Sequence, residues 1–248
     1  MQEVMAVMLG AMRNDAAKVE RIGVNLANAL TPGYQREILV GASPAASGSR
    51  FAGLVTRYGA AVADDGGAPV LQVLRDSRPG TLKATGQAWD VALASRGYFE
   101  VNTPEGPALT RRGQFQLDVR GRLVTPQGWP VMGLDGDISP GSAPVVIDTA
   151  GRLQSGGRFV AQLKIVEPSD PARMRSIDAG YFVADTQARQ VPESQLVVRQ
   201  GHLENANVNS SQEMVDLMRT MRHFESMSRM LQGYDDMMGG AIRKLGES

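Results

Sequence analysis

Apolar residues recur along the first thirty positions at alternating steps of three and four: Met5, Met8, Met12, Val19, Ile22 and Leu26. That period belongs to one face of a helix and reads as a heptad seam. Asp15 breaks it, standing where an apolar residue is expected. Thr31-Pro32-Gly33 predicts the helix end, because proline disfavours helical geometry in the preceding residue and glycine permits a turn. At ~1.5 Å per residue such a helix spans about 45 Å.

The pattern then changes. Gly41 to Gly67 is rich in Ala, Ser and Gly with weak periodicity, and predicts an irregular or partly extended connector. From about Val70 onward, short apolar runs alternate with turn pairs. Asp90 to Ala94, Tyr98 to Val101, Phe115 to Val119, Val145 to Asp148 and Phe159 to Val166 read as strands. Arg120-Gly121, Gln127-Gly128, Asp135-Gly136 and Ala150-Gly151 punctuate them. This spacing predicts an antiparallel β region built of hairpins. Asp118 to Leu123 and Asp148 to Leu153 share the pattern Asp-x-x-Gly-Arg-Leu, which predicts two turns of one type.

A second helical pattern occupies the far end. Asn207, Asn209 and Ser210 are good capping types, and Ser210 with Glu213 fits a capping box. Met214, Leu217, Met221, Phe224 and Leu231 follow three-and-four spacing, with Ser228 a small interruption. Val215, Met218, Met230, Tyr234 and Met237 form a second stripe. A helix with two apolar stripes requires several neighbours. Gly239-Gly240 is expected to weaken or end it. The expected class is therefore α+β: an axial helix over residues 1–34, a connector over 35–75, a β-rich antiparallel domain over 76–199 and a second axial helix over 200–248. The two terminal helices are expected to form a coiled-coil-like pair on assembly.

Composition narrows the function. The 248 residues carry 26 Lys+Arg against 26 Asp+Glu, and no cysteine. A zero formal charge argues against broad electrostatic binding of nucleic acid or an anionic membrane. The missing thiols exclude a disulfide framework, a thiolate zinc site and a cysteine nucleophile. No segment reaches the roughly 18 uncharged apolar residues of a spanning helix. The apolar start is broken by Glu3 and lacks a basic n-region, so no cleavable secretory signal is expected.

Candidate chemistry is sparse. His202 and His223 each stand two residues before a glutamate, Glu204 and Glu225. On a helix such a pair does not share a face, so His223 reads as structural and His202 as a surface or capping group. No phosphate-binding loop, nucleophile elbow or zinc-binding His-Glu-x-x-His occurs, and no catalytic, cofactor or metal site is expected. Asp235-Asp236 reads as a solvated pair. The cluster Arg111-Arg112 with Arg120 and Arg122 is expected to face water.

Three stretches carry a resemblance. Arg21 to Tyr34, with Asn25, Leu26, Ala27, Asn28, Thr31, Gly33 and Tyr34 in the signature places, resembles the N-terminal motif of bacterial flagellar axial proteins. Val24 departs from it, replacing the usual first Asn. Gly201 to Glu225 is similar to the other end of that family, with Leu203, Glu204, Asn207, Val208, Asn209, Glu213, Met214, Val215, Phe224 and Glu225 in place. Gly86 to Leu93, Gly97 to Val101 and Thr110 to Phe115 resemble the middle motifs of the rod and hook proteins, with Trp89 at a leucine position. Gly41 to Gly67 has no match.

The resemblance implies a structural subunit of the basal-body rod, of the proximal-rod type with the distal-rod type close behind. It implies polymerisation into a tubular shaft, with other rod subunits and itself as partners. It also implies export through the flagellar type III apparatus with an uncleaved N-terminus. Met5, Met8, Met12, Val19, Ile22 and Leu26 would form one half of the assembly seam, and Met214, Leu217, Met221, Phe224 and Leu231 the other. Two rival readings stand beside it. One is an enzyme or binding module for cell-wall carbohydrate on the β domain, whose aromatic candidates are Trp89, Trp129, Tyr98 and Phe99. The other is a soluble coiled-coil adaptor.

Overall fold

The structure, a computed structural model, describes residues 2–41, 71–141, 143–178, 180–183 and 188–246. Residues 42–70, most of the expected connector, lie outside the described residues. The flanks of that connector are regular: Glu37–Gly41 and Leu71–Arg75 form a two-stranded sheet. Their Ile, Leu and Val residues favour extended backbone.

Helix α1 covers Gln2–Ala27, which includes the whole seam but stops short of the expected end at Thr31-Pro32-Gly33, because a turn begins at Asn28. Helix α2 covers Ser210–Gly246 and runs straight through Gly239-Gly240. The expected break there is corrected: an isolated glycine pair costs about 1 kcal/mol per residue against alanine, too little to end a helix of 37 residues.

The chain divides into two compact units. The first holds the described residues of Met1–Val24, Ile38–Leu74 and Ser210–Ser248, and so contains α2 and all but the last turn of α1. The second holds Asn25–Glu37 and Arg75–Asn209 and contains the β structure. Its largest sheet has six antiparallel strands in the order Arg175–Asp178, Tyr181–Val183, Gly106–Thr110, Tyr98–Thr103, Ile165–Glu167 and Arg189–Gln190. Successive strand residues point to opposite faces, and here both faces are buried. Phe99, Val101, Ala108, Ile165 and Tyr181 enter the main core, while Tyr98, Leu109, Val166 and Phe182 enter a smaller cluster with Met174. A three-stranded sheet of Val145–Ile147, Arg152–Ser155 and Arg158–Gln162 closes the main core with Val145, Ile147 and Leu153.

The two Asp-x-x-Gly-Arg-Leu turns are near copies. Asp118 Oδ1 accepts the amides of Arg120 and Arg122 at 2.8 and 2.9 Å, and Oδ2 accepts Arg122 Nε at 2.9 Å. Asp148 repeats this with Ala150, Arg152 and Arg152 Nε at 2.9, 2.9 and 2.8 Å. Gly121 and Gly151 hold φ of 75° and 77°, which closes each turn at low steric cost. The leucine after each turn, Leu123 or Leu153, is buried in the core.

Candidate assembly interface

In the first unit, α1 carries its spaced apolar residues on one face: Ile22 is buried, and Met5, Met8, Met12 and Val19 are half-buried; Leu26, half-buried as well, belongs to the second unit. Asp15, the polar break, is buried in that same face, only 4% exposed. The reason is a partner on α2. His223 Nδ1 meets Asp15 Oδ2, and Lys18 Nζ lies 3.7 Å from Oδ1. The sequence shows the polar break and the histidine separately. It offers no means of joining positions 208 residues apart.

On α2 the protected stripe is a heptad of Glu213, Leu217, Thr220, Met227, Leu231, Tyr234 and Met238, with Phe224 at its margin. Leu217 and Leu231 are half-buried within this stripe. Glu213, buried in the first turn, sits where a carboxylate favours the helix N-terminus. Met214, Met218 and Met221, spaced i, i+4, i+7, lie on one exposed face instead. Met230 and Met237 are exposed on another strip. Met214 and Met221 were expected in a single seam with Leu217, and the structure separates them from it.

The family-like motif residues serve a different purpose, within the second unit. Asn25 is buried and acts as a clamp: its Oδ1 accepts the Glu37 amide at 2.9 Å and the Tyr34 hydroxyl at 3.1 Å, while its Nδ2 donates to the Glu37 carbonyl at 2.9 Å. Asn28 Oδ1 accepts the Thr31 hydroxyl at 3.2 Å, shaping the turn after the helix. Ala27 is exposed and makes no such bond. Asn207, distant in sequence, closes the same junction. Its Oδ1 accepts the Arg36 amide at 2.6 Å, and its Nδ2 donates to the carbonyls of Asp76 and Arg78 at 2.8 Å each. Val208 is half-buried beside it and Asn209 is exposed, directly before α2. Thus the two sequence motifs, near opposite ends of the chain, meet in one hydrogen-bonded junction.

Glu204 and Arg111 lock that junction to the β core. Arg111 is 4% exposed and Glu204 2%, with Nε to Oε2 at 2.7 Å. The Arg111 guanidinium also donates to the carbonyls of Gly97 at 2.7 Å, Leu93 at 2.9 Å and Ser95 at 3.3 Å. Glu204 Oε1 accepts the Gly80 amide at 2.9 Å. The expectation that Arg111 faces water is corrected: directly after the strand Gly106–Thr110 it points inward, where five hydrogen bonds to four acceptors satisfy it. Arg112 is half-buried, with its guanidinium 5.3 Å from the Tyr181 ring centroid. Gly33 packs against the Arg111-Arg112 backbone. Its φ is 67°, and a Cβ there would come within 2.6 Å of the Arg111 carbonyl carbon. Its amide donates to the Glu204 carbonyl at 2.8 Å.

Arg75 is a further buried cation that the sequence did not single out. It pairs with Glu37 at 3.4 Å, donates to the Met174 carbonyl and lies 4.3 Å from the Phe182 ring centroid. Burial pushes its guanidinium below the ordinary value, with the Glu37 carboxylate opposing. Burial also raises the Tyr98 phenol, whose hydroxyl donates to Gln35 Oε1 at 3.0 Å. Tyr98 and Arg111 form part of a cleft of about 440 Å³ with Arg78, Arg96 and Pro168. Both are already engaged in bonds to the protein. Among the described residues no cluster of three His, Asp or Glu could hold a metal. Tyr98 and Phe99 are core residues, and Trp89 and Trp129 pack on that core.

The family model described as flagellar basal body rod FlgEFG protein C-terminal matches residues 199–243, and that of the flagellar hook protein FlgE/F/G D1 domain matches 92–155. FlgF of Escherichia coli (strain K12), a flagellar basal-body rod protein, is 32% identical over 239 residues, with 90% of each chain covered. The chain belongs to the flagellar basal-body rod protein family. Within it, this rod protein is FlgF-like. FlgF of Rhizobium meliloti (strain 1021) is 32% identical over 176 residues, covering 69% of this chain and 73% of the relative. FlgG of Bacillus subtilis (strain 168) is 26% identical over 260 residues, covering 93% and 94%. As a rod protein the chain is a structural subunit of the flagellar basal body. Among the described residues no helix is long and apolar enough to cross a membrane.

Proposed function

We propose that this rod protein polymerises through its terminal helices into a tubular drive shaft and has no catalytic task. The carrying observation is the exposed apolar surface of α2: Met214, Met218 and Met221 lie uncovered beside a stripe that the chain itself protects. A surface of this kind is stabilised by neighbours in an assembly. Repeated head-to-tail contacts that do not close into a ring propagate a helical tube. Met5, Met8, Met12, Val19, Ile22 and Leu26 form the α1 half of the packing. Leu217 and Leu231 form the protected α2 half, with Phe224 at its margin and Met214 and Met221 turned to the next subunit. The subunit transmits torque by stiffness. Its domains follow the boundaries 1–34, 35–75, 76–199 and 200–248. Its partners are other rod subunits and the flagellar type III export apparatus, through which it passes with its N-terminus uncleaved.

The test compares Leu26→Asp, Leu217→Asp and Met221→Asp in cells lacking the native copy. Each is expected to abolish incorporation into basal bodies, and Leu217→Asp and Met221→Asp, which lie outside the β unit, should leave its unfolding transition unchanged. Normal incorporation of all three would overturn the reading.

A further inference from the structure

The exposed methionines of α2 also define a chemistry. The chain has 13 methionines, and seven of them fall between Met214 and Met238. Met214, Met218, Met221, Met230 and Met237 are 48–69% exposed, whereas Met174, in the β core, is 3% exposed. Met5, Met8 and Met12 on α1 are half-buried. A thioether in open solvent is an oxygen acceptor, and its susceptibility follows its exposure.

We propose that Met214, Met218 and Met221 form a peroxide-sensitive modification site that controls whether the free subunit can assemble. The sulfur attacks one oxygen of hydrogen peroxide. The O–O bond breaks, an S–O bond forms, the sulfur loses two electrons, and the other peroxide oxygen leaves as water. The product, methionine sulfoxide, is polar and chiral, and reductases specific for each sulfoxide epimer return it to the thioether. Three such groups at i, i+4 and i+7 convert one continuous apolar face of α2 into a row of strong acceptors. Arg222, four residues after Met218, can donate to part of that row, but Glu225, four residues after Met221, is itself an acceptor when ionised. The remaining polar oxygens would then have to be buried without partners on assembly, which is unfavourable. Because the three side chains are exposed, their oxidation leaves the fold of the free subunit intact. This inference rests on the proposal that this face packs against neighbouring subunits.

The experiment has two arms. First, the purified full chain is treated with hydrogen peroxide, and sulfoxide at each methionine is followed by peptide mass spectrometry. The five exposed methionines should oxidise at least roughly tenfold faster than Met174, as their exposure dictates. Equal rates would overturn the assignment. Second, cells lacking the native copy receive the wild type, a Met214→Leu/Met218→Leu/Met221→Leu variant, a Met214→Gln/Met218→Gln/Met221→Gln variant, or Leu217→Asp. The leucine variant should incorporate normally and resist loss of incorporation under peroxide. The glutamine variant, which imitates the polar oxide, should lose incorporation without peroxide. If Leu217→Asp blocks incorporation while the glutamine variant incorporates normally, the oxidation proposal fails and the assembly reading stands. If both incorporate normally, the assembly reading fails with it.

Discussion

Breaking the Arg111–Glu204 pair gives the sharpest quantitative test of the junction. Replacing Glu204 by Ala leaves a guanidinium that is 4% exposed without its counter-charge. Breaking a buried pair from one side costs about 3–5 kcal/mol. The Gly80 amide loses its acceptor as well, at about 1 kcal/mol. Arg111→Met has a similar cost by a different route, because it strips the carbonyls of Leu93, Ser95 and Gly97 of a donor and strands the Glu204 carboxylate. Each single variant should lose about 5 kcal/mol, or about 15 °C in Tm at roughly 3 °C per kcal/mol for a chain of this size. The double variant Arg111→Met/Glu204→Leu removes both charges together, so its loss should fall short of the sum by at least about 2 kcal/mol. Urea unfolding followed by tryptophan fluorescence suits the measurement, since Trp89 and Trp129, the chain's two tryptophans, both pack against the core of this unit. Losses that add to within about 0.5 kcal/mol would refute the pairing argument.

Gly33→Ala should cost about 3 kcal/mol, since it combines a left-handed φ with a Cβ jammed against the Arg111 backbone. Gly121→Ala shares the left-handed φ but opens onto free space, so only about 1–2 kcal/mol is expected. Equal losses by thermal unfolding would contradict the packing account. His223→Leu should destabilise the helical unit by about 1–2 kcal/mol, a value reduced because the histidine side chain is half exposed, and Asp15→Leu/His223→Leu should recover the loss. Far-UV circular dichroism in urea reads both, and a neutral His223→Leu would remove the pairing from the argument. In the twin turns, the Arg122 amide lowers the Asp118 carboxyl. At Asp148 burial acts to raise the pKa, but hydrogen bonds from Arg152 and Ala150 outweigh it and lower it overall. A lowered folded pKa means stability that is full above the unfolded value of 3.8 and is lost as pH falls through the folded one. The urea midpoint of the wild type should therefore fall more steeply between about pH 5 and pH 2 than that of Asp118→Asn/Asp148→Asn. Parallel acid limbs would sink this assignment.

What was legible in the sequence was whatever repeats with a period. The α1 seam, the hairpins and the twin Asp-x-x-Gly-Arg-Leu turns are local patterns, and each is found where its spacing put it. What escaped was set by contacts between distant residues. Asp15 looked like a flaw in a seam until His223 was seen to meet it. Arg111 looked solvated because nothing in its neighbourhood announces Glu204, 93 residues away. On α2 the two apolar stripes were both visible, but which one the chain covers depends on the tertiary partner. For that reason Met214 and Met221 were grouped with Leu217, although they face away from its stripe. Propensity alone favours weakening or ending the helix at Gly239-Gly240, and the long helix overrides it.

The central claim is that the exposed face of α2 becomes buried in the rod. The chain has no cysteine, so a Met218→Cys variant carries a single thiol on that face. The measurement is the maleimide labelling rate of this thiol in the purified subunit and in isolated basal bodies. The account predicts rapid labelling of the free chain, where position 218 is 53% exposed, and strong protection after assembly. Equally rapid labelling in both states would contradict it.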